Sequence, residues 1–136
     1  MRVILDPNVI ISALVSTGTT AAVLDAWLND QAYEPVVCPT LLDELKDVLG
    51  RPKFSFVGQT TVQLLIDRFE NEAILAENPA AEPGTTRDPD DDYLVALARE
   101  TRTSVIVSGD DDLHAFEAQD VEVLSPRDFL DRLAEE

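Results

Sequence analysis

The chain has 136 residues, 45% of them hydrophobic, and a formal net charge of −17 at pH 7. That length and apolar content suffice for one domain with a real core, and they exclude a disordered chain. No stretch approaches the roughly 18–20 apolar residues of a membrane span. In chain order, Arg2–Leu5 reads as a short strand, and the Asp and Asn of MRVILDPNVI mark a turn instead of a secretion signal. Asn8–Val15 and Ala21–Asp30 read as helices separated by Gly18, the second with Ala22, Leu24, Trp27 and Leu28 on an apolar stripe. Trp27 is expected in the core. Tyr33–Cys38 reads as a second strand, with Pro35 suited to an edge or an entry position. Cys38 is the single cysteine, which rules out an internal disulfide and fits a reducing cytoplasm.

Thr40–Leu49 reads as a helix, with Thr40 as cap, Asp43 as its acidic partner, and Gly50 and Pro52 ending it. Phe54–Val57 leads into a helix over Thr61–Glu72, whose Val62, Leu65, Ile66 and Phe69 share one face. Ala73–Ala76 is expected as a third strand and Asn78–Arg87, with Pro79, Pro83 and Gly84, as a loop. Asp88-Pro89 opens a helix through Arg102. Ser104–Val107 reads as a buried strand, Asp110–Ala115 as a short helix or turn, and Val121–Leu124 as a last strand. Ser125-Pro126 starts a closing helix, Arg127–Ala134. This alternation, without tight hairpins, predicts a single α/β domain over residues 1–136. Its parallel sheet of about five strands would be covered by helices on both faces, in three layers.

Two carboxylates follow from topology alone. Asp6 ends the first strand and Asp110 follows the fourth, so parallel neighbouring strands would deliver both to one sheet edge, where open α/β sheets bind ligands. Glu44 lies at the margin of its helix's apolar face. Asp91 sits in an acidic first turn, favoured there by the helix dipole. Taken singly, Asp88, Asp90, Asp91 and Asp92, or Asp110, Asp111 and Asp112, are equally readable as solvated helix starts. Together they would repel each other, and with few basic residues nearby a hard divalent cation relieves that cost. No His or Cys cluster points to zinc. His114, the lone histidine, is expected to pack near Leu113 and Phe116. An all-carboxylate site points to Mg²⁺ or Mn²⁺ and to phosphoryl transfer to water.

VILDPNVIISAL, TLLDELKDVL, RDPDDDYLVALA and VIVSGDDDL, in this order and spacing, resemble the PIN-domain family, and most of all its stand-alone, VapC-like toxin branch. The resemblance spans Arg2 to about Pro126 and implies a PIN-like three-layer fold with metal-dependent ribonuclease activity. It implies catalytic roles for Asp6, Glu44, Asp91 and Asp110, and a Mg²⁺ or Mn²⁺ site made by Asp6, Asp91 and Asp110 with Asp112 as an auxiliary ligand. Asn8, Ser12 and Ser108 would support that geometry. Arg51, Lys53 and Arg87 are the candidate phosphate contacts. Where many members carry Thr after the first Asp, this chain has Pro7, so that hydroxyl is missing. The resemblance further implies an RNA substrate, a cognate antitoxin, a homodimer and no membrane association.

Two rival activities founder on one position. A haloacid-dehalogenase-like phosphatase requires a second Asp two residues after Asp6, where Asn8 stands, and a receiver-like domain requires an acidic pair at the chain start. A third reading is a catalytically weak or inactive PIN-like scaffold, which the charge of −17 favours because it repels nucleic acid. With Lys46 and Lys53 the only lysines, the same composition suits a salt-rich medium. Melting followed as KCl rises from low concentration to about 1 M, where the Debye length shrinks to about 3 Å, should show Tm climbing by several degrees. A flat profile refutes the salt adaptation.

Overall fold

The computed structural model describes residues 1–136. Five strands form one sheet: β1 (Arg2–Leu5), β2 (Glu34–Val37), β3 (Ile74–Leu75), β4 (Val105–Val107) and β5 (Glu122–Leu124). Their spatial order is β3-β2-β1-β4-β5, and every neighbouring pair is parallel. Val3, Ile4 and Leu5 are all buried, as are Val105, Ile106 and Val107. Since successive strand residues point to opposite faces, the central sheet is covered on both sides. The helices that cover it are α1 (Pro7–Val15), α2 (Thr19–Leu28), α3 (Pro39–Leu49), α4 (Gln59–Glu72), α5 (Asp92–Glu100), α6 (Asp111–His114) and α7 (Pro126–Ala134). No single helix is long and apolar enough to cross a membrane.

The strand order carries the functional geometry. Progression runs outward from β1 to β2 and β3, then returns to the other side of β1 for β4 and β5. The reversal therefore falls between β1 and β4, which are paired from Val3 with Val105 to Leu5 with Val107. At such a reversal the connections leave in opposite directions and open a crevice beyond the strand ends.

Local chemistry moved several element boundaries. Pro35 lies in an interior strand, β2, because its position demands no ladder bond there. Glu34 donates its N–H to Met1 of the β1 side, so the Pro35 nitrogen faces β3, whose pairing starts only at Val36. Helix α2 buries Leu24 and Trp27 as expected, with Leu28 packed against the core, while Val23 is buried in place of the exposed Ala22. Trp27 stacks on Phe69 with ring centroids 4.7 Å apart, a core role. The stretch after Asp88 begins as a 3₁₀ turn (Pro89–Asp91) because Asp91 donates its N–H to the Asp88 carbonyl and Asp90 donates to the Asp88 side chain. The α-helix starts only at Asp92.

The start of α3 departs most from local expectation. Pro39 occupies the first helical position and Cys38 the cap, with no capping bond from its side chain, so the Thr40–Asp43 box does not form. Instead the Thr40 N–H donates to Asn78 Oδ1 at 2.8 Å, from the segment leaving β3. A cap borrowed from 38 residues away ties the helix that carries Glu44 to the loop that leads to Asp91. Asn78→Ala should lower unfolding stability by about 1 kcal/mol in urea titration, the usual worth of such a cap; an unchanged midpoint would show that the bond contributes nothing.

Candidate metal centre

Asp6 follows β1 directly and caps α1, its Oδ1 accepting the Asn8 N–H at 3.0 Å. It is 2% exposed. Its backbone N–H extends the β1–β4 ladder by bonding the Val107 carbonyl. Across that ladder Ser108, fully buried, donates its hydroxyl to Asp6 Oδ2 at 2.7 Å and accepts the Asp110 N–H at 2.9 Å. One serine thus spaces the two strand-end aspartates. Its own main chain is fixed as well: the N–H donates to Leu124 of β5, and the carbonyl accepts from His114 Nε2 at 2.5 Å. His114 was expected only to pack against apolar neighbours; it also anchors the residue that holds Asp6. A single histidine six residues after a serine carries no periodic signal that would have revealed this.

Asp91 arrives from the 3₁₀ turn before α5, and its neighbour Asp92 takes a different role. Asp92 is buried and accepts from the Thr86 N–H, the Thr86 hydroxyl and the Gly84 N–H. Those bonds hold its carboxyl below the ordinary range. Asp92 is a loop anchor. Asp91, one residue earlier, turns instead toward Asp6 and Asp110, and its Oδ2 is buried with no hydrogen-bond partner.

Carboxylate oxygens of Asp6, Asp91 and Asp110 all lie within 4.8 Å of one another. Two oxygens sharing an ion at bonds of about 2.1–2.5 Å lie at most about 4–5 Å apart, so the three fit one hard divalent cation. None of the five ion pairs in the structure involves them. Burial, then the Asp110 and Asp6 carboxylates, push Asp91 up to about 8. Asp6 is raised chiefly by burial, against the lowering bonds from Ser108 and Asn8. An orphaned buried oxygen on Asp91 and the raised carboxyls of Asp6 and Asp91 are what a cation would relieve.

The remaining expected residues are placed less uniformly. Glu44, half-buried on α3, stands beside the cluster without joining its closest set; Tyr93 Oη donates to Glu44 Oε1 at a long 3.5 Å. Burial, then Asp6, raises its pKa, with the charges of Asp90 and Asp88 adding to the shift. Asp112 is exposed and outside the closest set; its N–H donates to Asp110 Oδ1, capping α6. Ser12 accepts from the Thr20 hydroxyl at 3.2 Å, on the α1–α2 side. Arg51 and Lys53 follow the end of α3 remote from the strand edge, about 16 Å along an 11-residue helix. There Arg51 pairs with Asp47, and Lys53 lies over the Phe54 ring. Arg87 is exposed, directly before Asp88. A cavity of about 740 Å³ between α3 and α4 contains none of the acidic residues of the cluster.

The Asp91 shift has a defined sign. Between its ordinary 3.8 and about 8, the folded protein keeps a proton that the unfolded chain has released. Folded protein therefore binds more protons, and stability falls as pH rises through that window. In EDTA, Tm should decline from pH 5 to pH 8, and Asp91→Asn should flatten the decline and raise Tm at pH 8. Parallel wild-type and variant curves overturn the assignment.

Comparison with known proteins agrees with this architecture. The family described as PIN domain matches residues 2–112. An uncharacterized protein of Methanocaldococcus jannaschii is 24% identical over 143 residues, covering 96% of this chain and 90% of that protein. Among solved structures, VapBC2 from Rickettsia felis bound to a promoter DNA fragment aligns with a TM-score of 0.60 at 12% identity, covering 92% of this chain and 98% of that one. FitAB bound to an IR36 DNA fragment aligns at 0.59 and 18% identity, covering 91% and 94%. FitAcB from Neisseria gonorrhoeae aligns at 0.54 and 19%, covering 92% and 98%. With a parallel sheet in this order, an acidic crevice at its reversal point and a profile match over most of its length, the chain belongs to the PIN-domain family.

Proposed function

We propose that the protein is a Mg²⁺- or Mn²⁺-dependent endoribonuclease acting as the toxin of a toxin–antitoxin pair. The observation that carries this reading is the convergence of Asp6, Asp91 and Asp110 at the β1–β4 reversal, with one buried Asp91 oxygen left without a partner. Asp6, Asp91 and Asp110 would hold a divalent cation, which would supply charge neutralisation at the phosphate and a more acidic water. The protein's own residues do the rest. Ser108 and the Asn8 N–H fix both oxygens of Asp6, so its orientation needs no reorganisation when substrate arrives. Glu44, whose pKa is raised by burial and which Tyr93 touches, accepts the proton of the attacking water as its oxygen bonds to phosphorus; the opposite P–O bond breaks in line, and the leaving oxygen takes its proton from solvent. Asp112, exposed in the first turn of α6, serves as an outer ligand.

Likeness to the PIN chains of VapBC2 and FitAB, which are toxin–antitoxin complexes, supports an antitoxin partner. A homodimer and a cytoplasmic setting go with the same reading. The competing view, a PIN scaffold that has lost its activity, is favoured by the net charge of −17. Incubating a mixed RNA pool with Mn²⁺ or with EDTA separates the two. Wild type should cleave only with Mn²⁺, and Asp6→Asn should cut on the order of a thousandfold more slowly with its melting curve retained. Cleavage by Asp6→Asn at the wild-type rate refutes the site, and failure of wild type both to cleave and to bind Mn²⁺ supports the scaffold.

A further inference from the structure

The surroundings of the acidic cluster are unequal. On the α3 and α5 side stand Glu44, Asp88 and Asp90, the two aspartates close enough for their charges to be felt at Glu44. On the opposite side a cavity of about 400 Å³ opens directly against Asp110, walled by Asn8, Ser12, Thr20, Gly109 and Pro126. Asp110 is its one charged wall residue. That volume falls within the range of about 300–1,000 Å³ usual for small-molecule sites. Gly109 leaves the wall open: a Cβ built there meets nothing within 4 Å.

A polyanion approaching this protein meets Glu44, Asp88 and Asp90 on the first side, whereas the wall of the second carries the single charge of Asp110, with Asp111 and Asp112 in the helix turn that follows it. The second side also offers a matched set of hydrogen-bonding groups. Thr20 Oγ1 donates to Ser12 Oγ, which leaves the Ser12 hydroxyl proton free to donate and the Thr20 oxygen free to accept. Asn8 uses its main-chain N–H on Asp6 and makes no side-chain bond, so its amide is available at the rim. A ribose 2′-hydroxyl is at once donor and acceptor, and it is the group by which a protein tells RNA from DNA.

We propose that the Asn8–Ser12–Thr20 cavity receives the ribose of the nucleotide adjoining the scissile phosphate and is where this protein selects RNA over DNA. This rests on the nuclease reading above and extends it to the recognition of the sugar. The chain enters over Gly109, places its phosphate at the three aspartates, and seats the neighbouring 2′-hydroxyl between Ser12 and Thr20. The hydroxyl-bearing wall is carried by α1 and α2, the cation-holding wall by β1, β4 and α5.

Binding is measured by fluorescence polarisation with two labelled oligonucleotides of one sequence, all-ribose and all-deoxyribose, with Ca²⁺ replacing Mg²⁺. Wild type should favour the ribose strand. The double variant Ser12→Ala, Thr20→Val should shrink that preference about tenfold, the worth of one or two hydrogen bonds. Gly109→Leu, which enters open space from an unstrained backbone, should weaken binding of both strands. Mn²⁺ affinity and melting temperature, measured on each variant, show that cluster and fold persist. An unaltered ribose preference in the double variant overturns the proposal, as does wild-type binding by Gly109→Leu or equal binding of the two strands by wild type. In those cases Mn²⁺-dependent cleavage by wild type would still stand, so the two readings fail separately; if wild type binds neither strand, both fall.

Discussion

Three carboxylates crowd within 4.8 Å of one another at the point where the sheet reverses direction, and no basic side chain is paired with any of them. Like charges at that spacing disfavour the folded state, so the surrounding bonds must hold against the repulsion. Ser108 carries much of that duty. Both roles of its hydroxyl and both of its main-chain groups are engaged, and they link Asp6, Asp110, β5 and His114 in one connected unit. The sheet supplies the stiff base: Asp6 continues the β1–β4 ladder by its own N–H, so its Cα cannot drift without breaking pairing. Crowding of this kind is tolerable in a packed, hydrogen-bonded crevice and would not persist on a mobile loop.

The same constraint explains how so acidic a chain belongs to a family built around anionic polymers. A net charge of −17 is spread over a surface on which five of the ten basic residues are paired: Lys46 with Glu70, Arg51 with Asp47, Arg68 with Glu72, Arg99 with Asp120 and Arg132 with Glu122. Such exposed pairs add little stability, and they leave few free cations for a phosphate backbone. On the nuclease reading, attraction for an anion is local and supplied by an ion held at the three aspartates, with a neighbouring wall whose one charge is that of Asp110. The uncharged stretch from Asn8 to Thr20 provides most of that wall.

Much of this was legible in the sequence because it depends on short-range rules. Apolar runs marked all five strands within one residue, and the placement of Asp6 and Asp110 needed only parallel neighbours. Choosing Asp91 over Asp92 as the residue that meets Asp6 rested on a family resemblance; the structure brings Asp91 to the cluster and commits Asp92 to Thr86 and Gly84. What stayed hidden was non-local. The cap of α3 comes from Asn78, and the anchor of Ser108 comes from His114, neither of which leaves a periodic trace. Thr40 and Asp43 have the local pattern of a cap, but Pro39 already fills the first helical position and moves the helix start upstream of them.

The adjacent roles of Asp91 and Asp92 make this segment sensitive to its length. Successive residues on a helix are rotated by about 100°, and here that rotation separates a side chain facing the crevice from one gripping the loop. Losing a single residue between Thr86 and Asp92 would spin the start of α5 by that angle, bringing Asp92 to the place of Asp91 and Tyr93 to that of Asp92. Composition would be nearly unaltered, yet the crevice would gain the wrong aspartate while the loop lost its grip. Spacing, more than acidity, is the information this stretch stores.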